Sequence, residues 1–126
     1  MKRPKKQRRT EEKTVLILRC EDRYALCKRP EKGLLAGLWQ FPDLEGKCSV
    51  EHAIQMLEDR GIRTKEVCRI LERNHIFTHI TWEMQGIFLE VSNTGGDGLT
   101  WLDEATIREQ IALPTAYRQF WEERNV

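Results

Sequence analysis

The residues best suited to chemistry in this chain are three neighbours, Phe77, Thr78 and His79, which precede an apolar alternating strand. They place an aromatic ring, a hydroxyl and an imidazole side by side. A ring can stack on a base, while the other two groups donate and accept hydrogen bonds at a base edge. This combination indicates recognition of a flat, polar ligand such as a nucleobase. The alternative is that Phe77 is a core side chain and Thr78 a strand former whose hydroxyl bonds locally.

Groups for metal or covalent chemistry are sparse elsewhere in the sequence. His75 and His79 are four positions apart, but they lie in a strand or turn pattern without a third ligand nearby, so no metal site is expected. The sequence has no G-x-S-x-G elbow, no P-loop and no Cys-x-x-Cys pair, and its four cysteines are interpreted as structural thiols. Glu58 and Asp59 follow Gln55 on a predicted helix and could bind magnesium, although a solvated helix face is the simpler interpretation. We therefore predict no catalytic residue and no cofactor.

Apolar patterning predicts the strands that must position these groups. Lys13 to Cys20 is nearly continuous in apolar residues, which is typical of a buried strand, and Arg23 to Lys28 completes a hairpin with it. Val67 to Arg73 and Ile80 to Val91 are predicted as strands on either side of the three chemical groups. The apolar parity of the last strand changes at Gly86, which predicts a bulge there.

Three helices are predicted between and after these strands. Ser49 is a typical N-cap and Gly61 a typical residue after a helix end, so a helix is expected between them. Leu102 to Gln110 and Pro114 to Arg124 are the other two. Residues 29–46 are rich in glycine and proline and are predicted as a loop that packs on the core or lines a site. The tryptophans expected in the core are Trp39 and Trp82. The predicted fold class is α/β (α+β), with a mixed sheet and helices.

Charge is unevenly distributed along the 126 residues. The first nine positions hold six of the 21 basic residues, so the remainder carries 15 basic groups against 20 acidic groups. Residues 1–12 are predicted to be a disordered basic arm, either a solvated linker or a contact to DNA phosphates, and residues 13–126 a single domain. No window approaches 18 uninterrupted apolar residues and no secretory signal is visible, so a cytoplasmic protein without a membrane partner is expected.

Four motifs in this order resemble the C-terminal domain of adenine DNA glycosylases of the MutY family. They are Lys28–Pro30, Gly33–Pro42, His75–His79 and Leu113–Tyr117. The resemblance extends from about residue 13 to residue 121, and it implies a Nudix-like fold, a mixed sheet sandwiched by helices. It also implies recognition of 8-oxoguanine, while a separate N-terminal glycosylase domain with an iron–sulfur cluster removes the mispaired adenine. The chain is accordingly expected to be a fragment whose partners are that domain and double-stranded DNA containing 8-oxoguanine opposite adenine.

The resemblance assigns roles to the residues of the opening cluster. 8-Oxoguanine differs from guanine by an N7 donor and a C8 carbonyl acceptor, and the hydroxyl of Thr78 can accept from the first and donate to the second. Phe77 is expected to wedge or stack at the base step, and His79 to bond the DNA backbone or the lesion. Contacts to phosphates are expected from the basic residues near the glycine-rich loop, Lys28, Arg29 and Lys32.

The sequence departs from the hydrolase signature of Nudix enzymes, in which glutamates hold magnesium. Gln55 and Gly46 stand where two of these glutamates belong, while Glu58 and Asp59 keep an acidic pair. Pyrophosphate hydrolysis is therefore not expected, and the domain is predicted to be non-catalytic. Two alternatives stay open: a Nudix-type hydrolase of oxidised nucleoside triphosphates such as 8-oxo-dGTP, and a plain interaction domain.

Overall fold

The computed structural model describes residues 9–124, and within that range it contains seven strands and three helices. The strands are β1 (Arg9–Cys20), β2 (Arg23–Lys28), β3 (Trp39–Gln40), β4 (Asp43–Glu45), β5 (Thr64–Ile76), β6 (Ile80–Val91) and β7 (Thr100–Asp103). The helices are α1 (Val50–Asp59), α2 (Glu104–Gln110) and α3 (Thr115–Trp121).

The strands form one mixed sheet in the order β3-β2-β1-β6-β5, with β4 paired to β1 and β7 paired to β2. β1 and β6 run parallel over most of their length, from the pair Arg9 and Ile80 to the pair Arg19 and Glu90. The other pairings are antiparallel. The predicted mixed sheet is thus confirmed, and the strand that ends in the Phe77–His79 segment lies at its edge.

Helices cover both faces of the sheet. Alternate residues of β1 point to opposite sides. Val15 and Ile17 belong to the core that includes α2 and α3, whereas Leu16 and Leu18 belong to the core that includes α1. This explains why the apolar run of β1 is nearly continuous, and it confirms the predicted sandwich.

The bulge predicted near Gly86 is wrong. Gly86 pairs in register with Val15 on one side and Leu71 on the other, and the irregularities of the β5–β6 pairing lie in β5, before residue 69. The apolar parity of β6 changes because α1 covers its face only near the end of the strand, so that odd positions there become apolar. Gly86 has a packing reason instead: a Cβ at this position would lie 2.5 Å from the ring of Phe120.

Two loop predictions need correction. The segment 29–46 contains the short strands β3 and β4, and residues 9–12, which were predicted as part of a disordered arm, begin β1. Residues 1–8 of that arm lie outside the described residues. The early start of β1 matters because it brings Arg9 next to Ile80, at the mouth of the β5–β6 hairpin.

The predicted helices are present with shifted bounds. α1 is capped as expected, since the Ser49 side chain accepts a hydrogen bond from the backbone N–H of His52, and Gly61 follows with a φ of +85°. The helix predicted from Leu102 begins only at Glu104, because residues 100–103 pair with β2 as β7. Pro114 occupies the N-cap position of α3 without a side-chain cap bond, and the helix ends at Trp121, three residues earlier than predicted.

Candidate nucleic-acid interface

Phe77, Thr78 and His79 form the tight turn that joins β5 to β6. The backbone N–H of Phe77 donates to the carbonyl of Ile80 at 2.7 Å, which closes the turn. From the neighbouring strand, the backbone N–H of Arg9 donates to the carbonyl of His79 at 3.1 Å. The turn is therefore fixed by main-chain hydrogen bonds at both of its ends. Such a fixed backbone can hold side chains in defined positions.

The three side chains of this turn have different environments. Thr78 and His79 are exposed, whereas Phe77 is half-buried and packs against the core that includes α3. The ring of Phe77 meets the ring of His75 at 4.7 Å and that of Trp82 at 4.9 Å, both edge to face. Phe77 thus anchors the turn on the core, and its neighbours Thr78 and His79 are exposed.

Trp82 is the support beneath Phe77. It is only 1% exposed, in agreement with its predicted place in the core, and its indole N–H donates to a carboxylate oxygen of Glu11 at 3.2 Å. Two cations lie near its ring, the ammonium of Lys13 at 4.7 Å and the guanidinium of Arg29 at 5.2 Å from the centroid. Such cation–π contacts, together with the indole hydrogen bond, hold the ring in one orientation.

A polar network behind Trp82 was not predicted from the sequence. The guanidinium of Arg29 donates to the side-chain oxygen of Gln40 at 2.7 Å and to the hydroxyl of Tyr117 at 3.0 Å. That hydroxyl in turn donates to Asp43 at 3.3 Å. Burial, and then the nearby charge of Asp43, raise the pKa of Tyr117, which keeps it protonated. The only sequence signal was that Arg29, Gln40 and Tyr117 fall within three of the four motifs.

The three basic residues expected at phosphates have different surroundings. Lys28 and Lys32 are exposed, and the ammonium of Lys28 lies 5.3 Å from the ring of Trp39, which is half-buried rather than fully in the core. Arg29 is turned inward into the network described above. Lys28 and Arg29 both line a cleft of about 640 Å³ that Lys32 does not line. The phosphate contacts stay a prediction, and Lys28 and Lys32 are the more exposed of the three residues.

The helix α1 carries the positions of the hydrolase signature. The Gln55 side chain donates to a carboxylate oxygen of Asp59 at 3.0 Å, and Gln55, Glu58 and Asp59 are all exposed. Gly46 has a φ of +81°, and its carbonyl accepts a hydrogen bond from the Thr14 hydroxyl at 2.8 Å. These residues do not fit a magnesium site of the hydrolase type, since an amide and a glycine replace two carboxylates. Within residues 9–124, no three or more His, Cys, Asp or Glu side chains are grouped in a way that could hold a metal ion.

A family model described as the NUDIX domain matches residues 14–123. The chain belongs to the NUDIX domain family. Among relatives, the adenine DNA glycosylase of Arabidopsis thaliana is 36% identical in an alignment 123 positions long, and the alignment covers 77% of this chain and 20% of that protein. The chain spans about a fifth of the length of the curated relatives it matches.

Solved structures agree with the fold of this NUDIX domain. The C-terminal domain of mouse MUTYH, in a complex with human PCNA, has a TM-score of 0.64 at 23% identity, over 91% of this chain and 87% of that one. The MutT NUDIX hydrolase from Burkholderia pseudomallei has a TM-score of 0.66 at 19% identity, over 90% of this chain and 97% of that one. Across residues 9–124, no helix is both long and apolar enough to span a membrane.

Proposed function

We propose that this NUDIX domain recognises 8-oxoguanine opposite adenine in DNA, as the lesion-recognition part of an adenine DNA glycosylase. The observation that carries the proposal is the turn at residues 77–79, where two polar side chains are exposed on a backbone fixed at both ends. The likeness to adenine DNA glycosylases over most of the chain supports it. Removal of the adenine would belong to another part of such a protein, with which this domain shares the DNA.

The chemistry of the turn suits the lesion edge. The hydroxyl of Thr78 accepts from the N7–H of 8-oxoguanine and donates to its C8 carbonyl, a pair of contacts that guanine does not offer. Phe77 is not a freely extended ring, because it packs on Trp82, so it contacts the base step as a fixed wedge. His79 lies next to Thr78 and is exposed, which allows it to bond a phosphate or the lesion itself.

Weak binding to DNA is expected from this domain alone. Residues 10–126 hold fewer basic than acidic groups, and each phosphate contact adds affinity through counterion release. Among the basic residues near the turn, Arg29 and Lys13 are engaged with the ring of Trp82. Selectivity between lesion and normal base is therefore a better measure of the function than affinity itself.

The double variant Thr78→Ala with His79→Ala tests the proposal. Titrations of the 126-residue chain with duplexes that contain 8-oxoguanine:adenine or guanine:adenine would give the preference for the lesion. A two-point base contact provides roughly 1–3 kcal/mol of discrimination, so the preference should fall by about 5-fold to 150-fold. The control is Gln55→Ala with Glu58→Ala on α1, which should leave the preference unchanged. Equal preferences in wild type and turn variant would refute the proposal.

The competing function is hydrolysis of oxidised nucleoside triphosphates, and one observation favours it: Glu58 and Asp59 keep the acidic pair of the hydrolase signature. Its test is release of pyrophosphate from 8-oxo-dGTP in the presence of magnesium. Release that Glu58→Gln abolishes would establish this activity. We expect no release above that of the Glu58→Gln control, since the other two carboxylate positions hold Gln55 and Gly46.

A further inference from the structure

The first residues of β1 contact the turn at two points. The backbone N–H of Arg9 donates to the carbonyl of His79 at 3.1 Å. Two residues later, one carboxylate oxygen of Glu11 accepts the indole N–H of Trp82 at 3.2 Å, and the other lies 2.9 Å from the guanidinium of Arg9. The start of this strand is therefore joined both to the main chain of the turn and to the ring that supports it.

The contact between Glu11 and Trp82 continues to the turn through aromatic packing. Trp82 meets the ring of Phe77 edge to face, with centroids 4.9 Å apart and planes at 71°. His75 lies against the same ring at 4.7 Å. Because protein interiors are close-packed, a rotation of the indole displaces the ring that rests on it. The orientation of Phe77 thus depends on that of Trp82.

Glu11 can control the ring of Trp82 because the indole N–H is buried and needs the Glu11 carboxylate as its acceptor. Trp82 is 1% exposed, and a buried donor that loses its acceptor carries the full cost of its desolvation. Without Glu11 the indole therefore has to turn toward another acceptor or admit water. Either change alters the surface on which Phe77 is seated.

We propose that Glu11 is a positioning residue for the turn at residues 77–79. Its carboxylate holds the indole of Trp82, and the indole sets the orientation of Phe77. Together with the bond from Arg9 to His79, this contact fixes both neighbours of Thr78. The effect on the ring is independent of the ligand, whereas the effect on DNA selectivity rests on the proposed function.

Glu12 provides a matched control. It is the next residue of β1, so its side chain lies on the opposite face of the sheet, where its register partner is Glu83. It is exposed and carries the same charge. Glu12→Ala thus removes a carboxylate from the same strand without removing the acceptor of the indole N–H.

The test compares Glu11→Ala, Glu11→Gln and Glu12→Ala in the 126-residue chain. Nuclear magnetic resonance would follow the indole N–H of Trp82, the indole N–H of Trp121 as an internal reference, and the ring signals of Phe77. Glu11→Ala should shift the signals of Trp82 and Phe77 but leave those of Trp121 in place. Glu11→Gln should keep the wild-type positions, because its amide oxygen can still accept from the indole. Glu12→Ala should change neither ring.

The same variants then enter the titrations with lesion and control duplexes. Glu11→Ala should lower the preference for 8-oxoguanine:adenine by about 3-fold to 10-fold, a part of the discrimination that one base contact supplies. Glu11→Gln should restore it to within about 2-fold of wild type on the same scale.

The outcomes separate the two proposals. Unchanged signals of Phe77 in Glu11→Ala would overturn the positioning role, whatever the DNA result. The same shifts of Trp82 and Phe77 in Glu11→Gln, or a shift of Trp121 as large as that of Trp82, would also overturn it, because the indole bond would then not be the specific cause. Shifted signals of Phe77 with an unchanged lesion preference would instead contradict the part of the proposed function that assigns Phe77 to the base step.

Discussion

The turn at residues 77–79 and the helix α1 both expose polar groups, yet they are built differently. On α1 the exposed residues Gln55 and Asp59 bond mainly to each other along the helix surface. In the turn, the exposed Thr78 lies between two residues that are held from below, Phe77 by the ring of Trp82 and His79 by the backbone of β1. The turn has the supporting layer that a recognition site needs, whereas the exposed amide and carboxylate of α1 bond to each other.

One fold can thus carry its functional residues at different places in different members of a family. The sheet and α1 place this chain in the NUDIX domain family, but two of the carboxylate positions on and before α1 hold Gln55 and Gly46. The polar network of Arg29, Gln40 and Tyr117 lies instead behind the ring that supports the turn. Under the proposed function, the site of chemistry in the hydrolases has become a solvated surface, and the edge hairpin has become the site of recognition.

The largest effect is expected from removing Trp82, the ring on which the turn rests. Trp82→Ala should lower the free energy of unfolding by about 3–5 kcal/mol, because it removes a large, fully buried ring and leaves a cavity. Urea denaturation measures this loss. Trp39→Ala is the matched control, since Trp39 is only half-buried and should cost clearly less. Equal losses for both variants would contradict the claim that the turn rests on the core.

The next effect concerns the wedge itself. Phe77→Ala should weaken binding to duplexes containing 8-oxoguanine:adenine by roughly 1–3 kcal/mol, the usual cost of removing an aromatic contact to a base. Fluorescence anisotropy with a labelled duplex measures it. The neighbouring Ile76, which is 65% exposed, provides the control: Ile76→Ala removes more exposed apolar surface but no ring. If both variants bind alike, Phe77 is only a packing residue.

A smaller effect should appear at α1, in stability alone. Ser49→Ala removes the side-chain oxygen that accepts the backbone N–H of His52, and should cost about 1 kcal/mol of folding stability. Thermal unfolding followed by circular dichroism would detect it, and Ser49→Asp, which keeps an acceptor, should retain most of the stability. The preference for lesion DNA should be the same in all three proteins. A change in that preference would connect α1 with recognition and weaken the comparison.

The last expected effect is a pH dependence that comes from the thiol of Cys27. Burial raises the pKa of Cys27, a register partner of Gln40, from 9.0 to about 11. The thiolate is the reactive form, so alkylation of Cys27 at pH 8 should be slower than that of the exposed Cys68 and should keep accelerating up to about pH 11. Mass spectrometry of iodoacetamide-treated protein would give both rates.

The raised pKa of Cys27 also predicts the direction in which folding stability changes with pH. Between pH 9 and about 11 the native thiol of Cys27 holds a proton that the unfolded chain releases, so folding stability should decrease as the pH rises through this window. Cys27→Ala should remove this part of the decrease. A decrease of the same size in wild type and variant would assign it to other groups.

The sequence predicted the elements whose signals are local. β1, β2, β6 and the cap of α1 at Ser49 follow from apolar runs and capping preferences in consecutive residues. The two-residue strand β3 and the four-residue strand β7 were missed because only their pairing with β2 makes them strands. In the same way, no local pattern connects Arg29 with Tyr117, which are 88 positions apart.

The sequence indicated which residues form the candidate site, but it did not indicate which residues pack beneath them. The adjacency of Phe77, Thr78 and His79 was visible in the sequence, and their place at the tip of a hairpin agrees with it. That Phe77 is half-buried while its neighbours are exposed depends on Trp82 and Glu11, and the second of these lies in a segment predicted to be disordered. The depth of a side chain is set by packing between strands, which the sequence does not contain explicitly.

The most direct test of the central claim is a titration of the isotope-labelled chain with lesion DNA, followed by amide chemical shifts. With an 8-oxoguanine:adenine duplex, residues 77–79 should shift strongly, and with a guanine:adenine duplex they should shift less, while residues 50–59 of α1 stay in place with both. Equal shifts of the turn with both duplexes, larger shifts along α1, or no response of residues 74–80 to either duplex would contradict the assignment of lesion recognition to this turn.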